Sequence, residues 1–300
     1  MLKKGPDEET FIITRSRMQD IEAKYRNVTS ELAERTKLCE SLRQTCRLNG
    51  VPETAIPPQL PPHSPTDEEV VTVWSALREQ IRALTLNRFN NVIPVKNVPE
   101  KNRREFEYLS THWRSYMTNG QLTSYIFRAL IWRYLDTCLF GKYCRVWGKE
   151  PGDAAAKLAG LFSSSPKVAD VEFQEWRMQT AALFQKACVP DLAVKNEVAG
   201  KILEATTNFA SGVDTEGLSK AIASIVDTAA GLSAIFASTQ FGVLMSDKPG
   251  SDLTRGFPHQ VATMEIKGKL GSTGVDMIIS PCLLKKEADY TILVKAEVIC

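Results

Sequence analysis

The chain has 300 residues, of which 43% are apolar and 24% charged, and its net charge is +2. Such a chain is long enough to bury a core without disulfide or metal staples and to form one or two domains. The near-neutral charge excludes a global preference for anionic or cationic partners. Seven cysteines form an odd set with no CxxC pair, and Lys3, Lys4, Asp7, Glu8 and Glu9 surround the start in place of a basic-then-apolar leader. These features predict free, buried thiols in a reducing intracellular compartment, cytoplasmic or nuclear. The sequon Asn27-Val28-Thr29 then carries no meaning.

Residues 7–49 read as a coiled coil. Phe11, Met18, Tyr25, Leu32, Cys39 and Cys46 recur every seven residues, and a second seam runs through Thr14, Ile21, Val28, Arg35, Leu42 and Asn49. Only Thr14, Arg35 and Asn49 break an apolar stripe that keeps two helices facing each other as they supercoil. The alternative is one amphipathic helix folded on the main domain, but such helices usually carry a wider stripe. The expected outcome is a homodimer through Met18, Ile21, Tyr25, Val28, Leu32 and Leu42, with a weak preference for parallel chains from Arg17 and Glu22.

Asn49-Gly50-Val51-Pro52 stops this helix, and residues 50–66 form a Pro-rich linker containing Ile56-Pro57-Pro58-Gln59-Leu60-Pro61-Pro62. Its prolines favour an extended, semi-rigid spacer. Pro58-Gln59-Leu60-Pro61 matches PxxP, but no nearby Arg or Lys strengthens it as a docking motif. Thr66 and Glu69 match a helix capping box, which is preferred over a phosphorylation site at Ser64 or Thr66.

Residues 67–300 read as a mainly α domain. Val70, Trp74, Leu77, Ile81 and Leu84 predict a helix from Asp67 to about Asn90. A second is expected over Glu100–Met117, with Phe106, Leu109, Trp113 and Tyr116 on one side. A third covers about Leu122–Tyr143, where Arg128, Arg133 and Asp136 argue against a membrane span. Further helices are expected at 153–162, 167–187, 191–210 and 215–239. The apolar stretch Ile222–Met245 holds Asp227 and many small residues, which favours a tightly packed core helix over a membrane helix. After residue 240, Phe241–Met245, Val261–Lys267, Val275–Ser280 and Thr291–Ile299 predict a small antiparallel sheet (241–300) that closes the helical domain. Ala262, Met264 and Ile266 alternate with polar residues, as in a half-buried strand.

The order of coiled coil, proline spacer, Val73-Trp74-Ser75-Ala76-Leu77, Ile131-Trp132-Arg133-Tyr134-Leu135 and the ending Ser280-Pro281-Cys282-Leu283-Leu284-Lys285-Lys286 resembles a large group of uncharacterised proteins from filamentous fungi. The resemblance also takes in Val294-Lys295-Ala296-Glu297-Val298. It implies that architecture and supplies no activity and no site residues.

Catalytic signals are poor. His63, His112 and His259 have no metal-ligand spacing to one another or to Cys, and the six-residue step from Cys138 to Cys144 matches no zinc pattern. No G-x-S-x-G occurs, and Gly268–Gly274 lacks the order of a phosphate loop and reads as a turn between strands. The sequence therefore offers no catalytic, cofactor-binding or metal residue. One cluster stands out: residues 101–149 hold nine Lys/Arg against three Asp/Glu, and eleven aromatics. Lys101, Arg103, Arg104 and Arg114 are the candidate contacts to an anionic partner such as nucleic acid. The competing reading makes Phe127, Leu130, Ile131, Tyr134 and Leu135 core, with the arginine stems along its edge. The preferred function is a non-enzymatic protein-interaction or scaffold module that homodimerises through 7–49. The alternative is a nucleic-acid-associated regulator using 101–149, and an enzyme with an unrecognised pocket is the third class.

Overall fold

The computed structural model describes Lys37 and residues 65–300, except 213, 250, 271–273 and 287–288. The chain divides into two units between Pro57 and Pro58, and the second is the one described below. The 7–49 coiled coil, with Met18, Ile21, Tyr25, Val28, Leu32 and Leu42, lies outside the described residues, as does all of the 50–66 linker before Pro65.

Helix α1 (Asp67–Arg88) starts at the expected capping box: Thr66 Oγ1 accepts from the Glu69 amide, and the Glu69 carboxylate accepts from the Thr66 amide at 2.8 Å. Its stripe Val70, Trp74, Leu77, Ile81 and Leu84 is buried, as the 3.6-residue spacing requires. Helices α2 (Glu100–Leu109), α3 (Trp113–Thr118) and α4 (Gly120–Leu135) follow. Two more, α5 (Lys149–Ser163) and α6 (Asp170–Ala187), form a hairpin, and α7 (Leu192–Thr206) and α8 (Thr215–Ser238) complete the described helices. The core is centred where α1, α4 and α8 meet. Trp74 lies 4.9 Å from Trp132 and 6.1 Å from Phe236, ring centre to ring centre. A second aromatic group, with Phe89 stacked on Phe127 at 4.4 Å and Phe106 edge-on to Phe127, joins α2 and α4 to the end of α1.

Helix α8 is long and apolar enough to cross a bilayer, yet 67% of its most apolar stretch is buried inside the fold, as in a core helix. Its Ala230, Ala234 and Ala237 pack with Ala181 of α6 and Cys144. Small side chains on both sides let the backbones approach closely, which is how this face uses its alanines.

Three expectations about the helices are corrected. Glu100–Met117 is two helices, because Ser110 takes an extended backbone (φ −152°, ψ 140°) and turns its hydroxyl to Asp276. The third helix ends at Leu135 and continues as a π turn, Asp136–Phe140, in which the Gly141 amide donates to the Asp136 carbonyl at 2.7 Å. The 191–210 helix ends at Thr206 in a short 3₁₀ turn, Thr207–Phe209.

The C-terminal sheet is also corrected. Six strands make two three-stranded sheets among the described residues: β1 (Phe241–Leu244), β4 (Cys282–Lys286) and β5 (Tyr290–Val294) in one, β2 (Met264–Gly268), β6 (Ala296–Ile299) and β3 (Met277–Ser280) in the other. The first is antiparallel; the second is mixed, with β2 parallel to β6. Strands β3–β4 and β5–β6 form one long antiparallel pair that changes sheet at Pro281 and Lys295. Proline has no amide hydrogen for a ladder, so it sits at the corner. The expected strand Thr291–Ile299 is therefore two, and β4 was hidden behind a proline that reads as a turn. Strand β2 is an edge strand, and Ile266, expected to face inward, is 38% exposed.

Candidate functional site

The four cations singled out from the sequence lie on the surface, each near a carboxylate of this chain. Lys101 Nζ donates to Glu204 at 2.6 Å; Arg103 and Arg104 lie 3.6 and 3.7 Å from Glu100; Arg114 lies 3.7 Å from Glu107 and over the Trp113 ring. The Arg103 Nε also donates to the Val98 carbonyl at 2.9 Å. The aromatics of the same stretch point elsewhere: Phe106, Trp113, Tyr116, Phe127, Trp132 and Trp147 are buried. Tyr108 is 46% exposed, but the Arg133 guanidinium stands 3.6 Å from its ring centre. These rings serve the core, which leaves little aromatic surface on which bases could stack.

A concavity of this fold lies elsewhere. A cavity of about 700 Å³ opens between α6, the end of α8, the 140–144 loop, β1 and β4. Its volume falls within the range of small-molecule sites. Phe236, Phe241, Val243 and Leu284 supply an apolar wall. The loop is bent into place by Cys144, whose φ of 58° is left-handed, and is held to α6 by Tyr143 OH, which donates to the Arg177 carbonyl at 2.5 Å. Trp147 stacked on Phe184 at 5.7 Å secures the same joint.

Three cations line this cavity: Lys142, Arg177 and Lys286. Arg177 is half-buried and makes no ion pair among the described residues. Its Nη1 donates to the Gln174 side chain at 3.1 Å, and its guanidinium lies 5.0 Å from the Tyr143 ring centre. Burial pulls its pKa below the ordinary arginine value, while the neighbouring Tyr143 and Cys144 oppose that shift. Lys286 is likewise half-buried and makes no ion pair among the described residues, whereas Asp170 and Glu175, the two carboxylates of the lining, are exposed. Of the charged groups in the lining, the two that are half-buried are thus both cationic. The cavity's nucleophile candidates are held in their neutral forms. Burial pushes the Cys144 thiol up to about 11, and burial, with Cys144 second, raises the Tyr143 hydroxyl above its ordinary range.

A second cavity of about 530 Å³ shares Val243, Leu284 and Tyr290 with the first and contains Asp136. Asp136 opens the π turn, and its carboxyl has no hydrogen bond or ion pair among the described residues. Burial raises its pKa to about 6 from 3.8. A raised acid pKa means that the folded state holds a proton the unfolded chain has released, so stability is lost as pH rises from about 4 to about 6. Asp136→Asn is therefore expected to raise stability by about 2 kcal/mol near pH 7, after a discount for partial exposure, and to change it little near pH 4. Urea denaturation at both pH values checks this; equal midpoint shifts at the two would contradict it.

A third cluster is structural. Asp276, with its side chain 3% exposed, accepts from Ser110 Oγ at 2.6 Å and Tyr116 OH at 2.8 Å, and lies 2.8 Å from His112 Nδ1. It ties the α2–α3 break to β3.

The comparisons with known proteins find no matching family model, no matching curated protein and no matching solved structure. Among the described residues no group of three His, Cys, Asp or Glu is placed to hold a metal ion. Sequence reasoning did not single out Arg177, weighed Cys144 only as a zinc ligand and named Lys286 only within a resemblance. Arg177 sits in a helix of mixed polarity, where an arginine reads as solvated, and nothing in its spacing points to the distant β1 and β4. Asp136 left one trace, as a charge inside an apolar helical stretch.

Proposed function

We infer that this chain is a non-enzymatic interaction module: a binding domain at 67–300, presented in pairs by a homodimer through residues 7–49. The observation that carries the binding half is the cavity beside Arg177, whose thiol and phenol are kept neutral while its half-buried cations make no ion pair among the described residues. That chemistry suits holding a ligand better than attacking one. The pairing half rests on the seven-residue apolar rhythm of Met18, Tyr25, Leu32 and their neighbours. Two linked binding domains gain avidity without any new contact. The reading as a nucleic-acid-associated regulator keeps the surface cations Lys101, Arg103, Arg104 and Arg114 but has little exposed aromatic surface to support it.

Light scattering tests the pairing. The full chain is expected at twice 33.4 kDa, and Leu32→Asp, which buries a charge in the seam, at 33.4 kDa. A monomeric parent, or a variant that keeps the parent's dimeric mass, would remove the dimer from this reading.

A further inference from the structure

We propose that the cavity between α6, α8 and β1 binds a small amphipathic organic anion, its oxyanion head on Arg177 and Lys286 and its apolar body on Phe236, Phe241, Val243 and Leu284. This deepens the reading of the domain as a binder and rests on it.

The argument starts from Arg177. A guanidinium carries five donors in a planar fork, and one of its Nη1 hydrogens is accounted for by Gln174. Buried cations elsewhere in this fold have carboxylates: Arg128 lies 3.5 Å and Arg78 3.1 Å from Glu297, and Arg145 lies 2.9 Å from Glu197. Arg177 and Lys286 are the half-buried cations of this cavity, and neither has an ion pair among the described residues. Withdrawing a cation from water without a counter-charge is unfavourable. An oxyanion seated in the cavity supplies that charge, and the planar fork matches carboxylate or phosphate geometry. Asp170 and Glu175 do not serve this purpose, since both are exposed and form no ion pair among the described residues.

The other half of the ligand follows from the wall. Phe236, Phe241 and Leu284 face the same space and are themselves nearly buried, at 6%, 7% and 6% exposure. An apolar ligand body seated there would remove the area this wall still exposes, and its own, from water. An inorganic anion would leave this wall wet, and an uncharged alkyl chain would leave Arg177 unmatched.

Titration calorimetry of the full chain with octyl phosphate, decanoate, octanol and inorganic phosphate tests the proposal, with light scattering on the same samples so that loss of pairing is read separately. Saturable binding of octyl phosphate or decanoate, one per chain, is expected, and whichever binds identifies the head group as phosphate or carboxylate. Arg177→Ala is expected to weaken that binding by about tenfold or more, with Arg177→Lys in between. If Arg177→Ala loses its circular dichroism, Lys286→Gln, at the end of β4, is the substitute and should weaken binding by about threefold or more. Failure of both amphiphiles to bind overturns the proposal. So does octanol or inorganic phosphate binding as tightly as octyl phosphate, or an affinity indifferent to both substitutions.

Discussion

Asp276→Ala is expected to destabilise the 67–300 domain by about 3–5 kcal/mol, because it leaves two buried hydroxyls without an acceptor. Ser110 and Tyr116 are fully buried, and both donate to the same carboxylate oxygen, while His112 Nδ1 reaches the other at 2.8 Å. Burial, reinforced by Asp276, raises the Tyr116 hydroxyl far above its ordinary range, so it stays a donor throughout. The loss exceeds that of a typical hydrogen bond because the orphaned donors keep their desolvation cost. Asp276→Asn preserves the shape and one acceptor, and should cost less. Tyr116→Phe removes one donor and should cost about 1 kcal/mol. The double variant Asp276→Ala/Tyr116→Phe should be less destabilised than the sum of the singles, since the phenol no longer needs an acceptor. Urea denaturation reads this as midpoint shifts at constant slope. A change below about 1 kcal/mol for Asp276→Ala would contradict the pinning of the α2–α3 break by this carboxylate.

Trp74→Ala should be of similar size, about 3–5 kcal/mol, through the cavity it leaves at the centre of the core. Trp74 touches all parts of that centre: Trp132 of α4 at 4.9 Å, Phe140 of the π turn at 6.0 Å and Phe236 of α8 at 6.1 Å. Packed interiors relax only partly around a missing ring, so the void remains. Trp74→Phe is expected to cost much less. It keeps a ring against Trp132, and it removes the indole Nε1–H, which has no acceptor among the described residues. Thermal unfolding followed by circular dichroism separates the two variants. Equal loss in both would mean that the indole's full volume is required. Little loss in either would mean that α1, α4 and α8 do not share one core.

The elements legible in the sequence are those whose cause is local. Helix α1 carries its own cap in Thr66 and Glu69 and its own stripe from Val70 to Leu84, so both its start and its buried face follow from adjacent residues. Helix α8 has the small residues and Asp227 that distinguish a packed core helix, and it is buried as one. The features that escaped are fixed at long range. The break at Ser110 has no glycine or proline; its cause is Asp276, on the far side of the sequence. Strand β4 begins just after Pro281, and the residue that signals a turn marks a passage from one sheet to the other. The parallel pairing of β2 with β6 depends on which strands lie between them, not on their own alternation. The cavity is the extreme case. Its cations come from a loop, a helix and a strand that no spacing rule links, and only their burial in the fold shows that Arg177 and Lys286 are poorly solvated.

The most direct test of the binding account is a crystal structure of the full chain grown with saturating octyl phosphate. The account predicts phosphate oxygens within about 3 Å of the Arg177 guanidinium, and the alkyl chain against Phe236 and Phe241. A cavity that stays empty, or a phosphate seated on the Lys101–Arg104 surface instead, would contradict it.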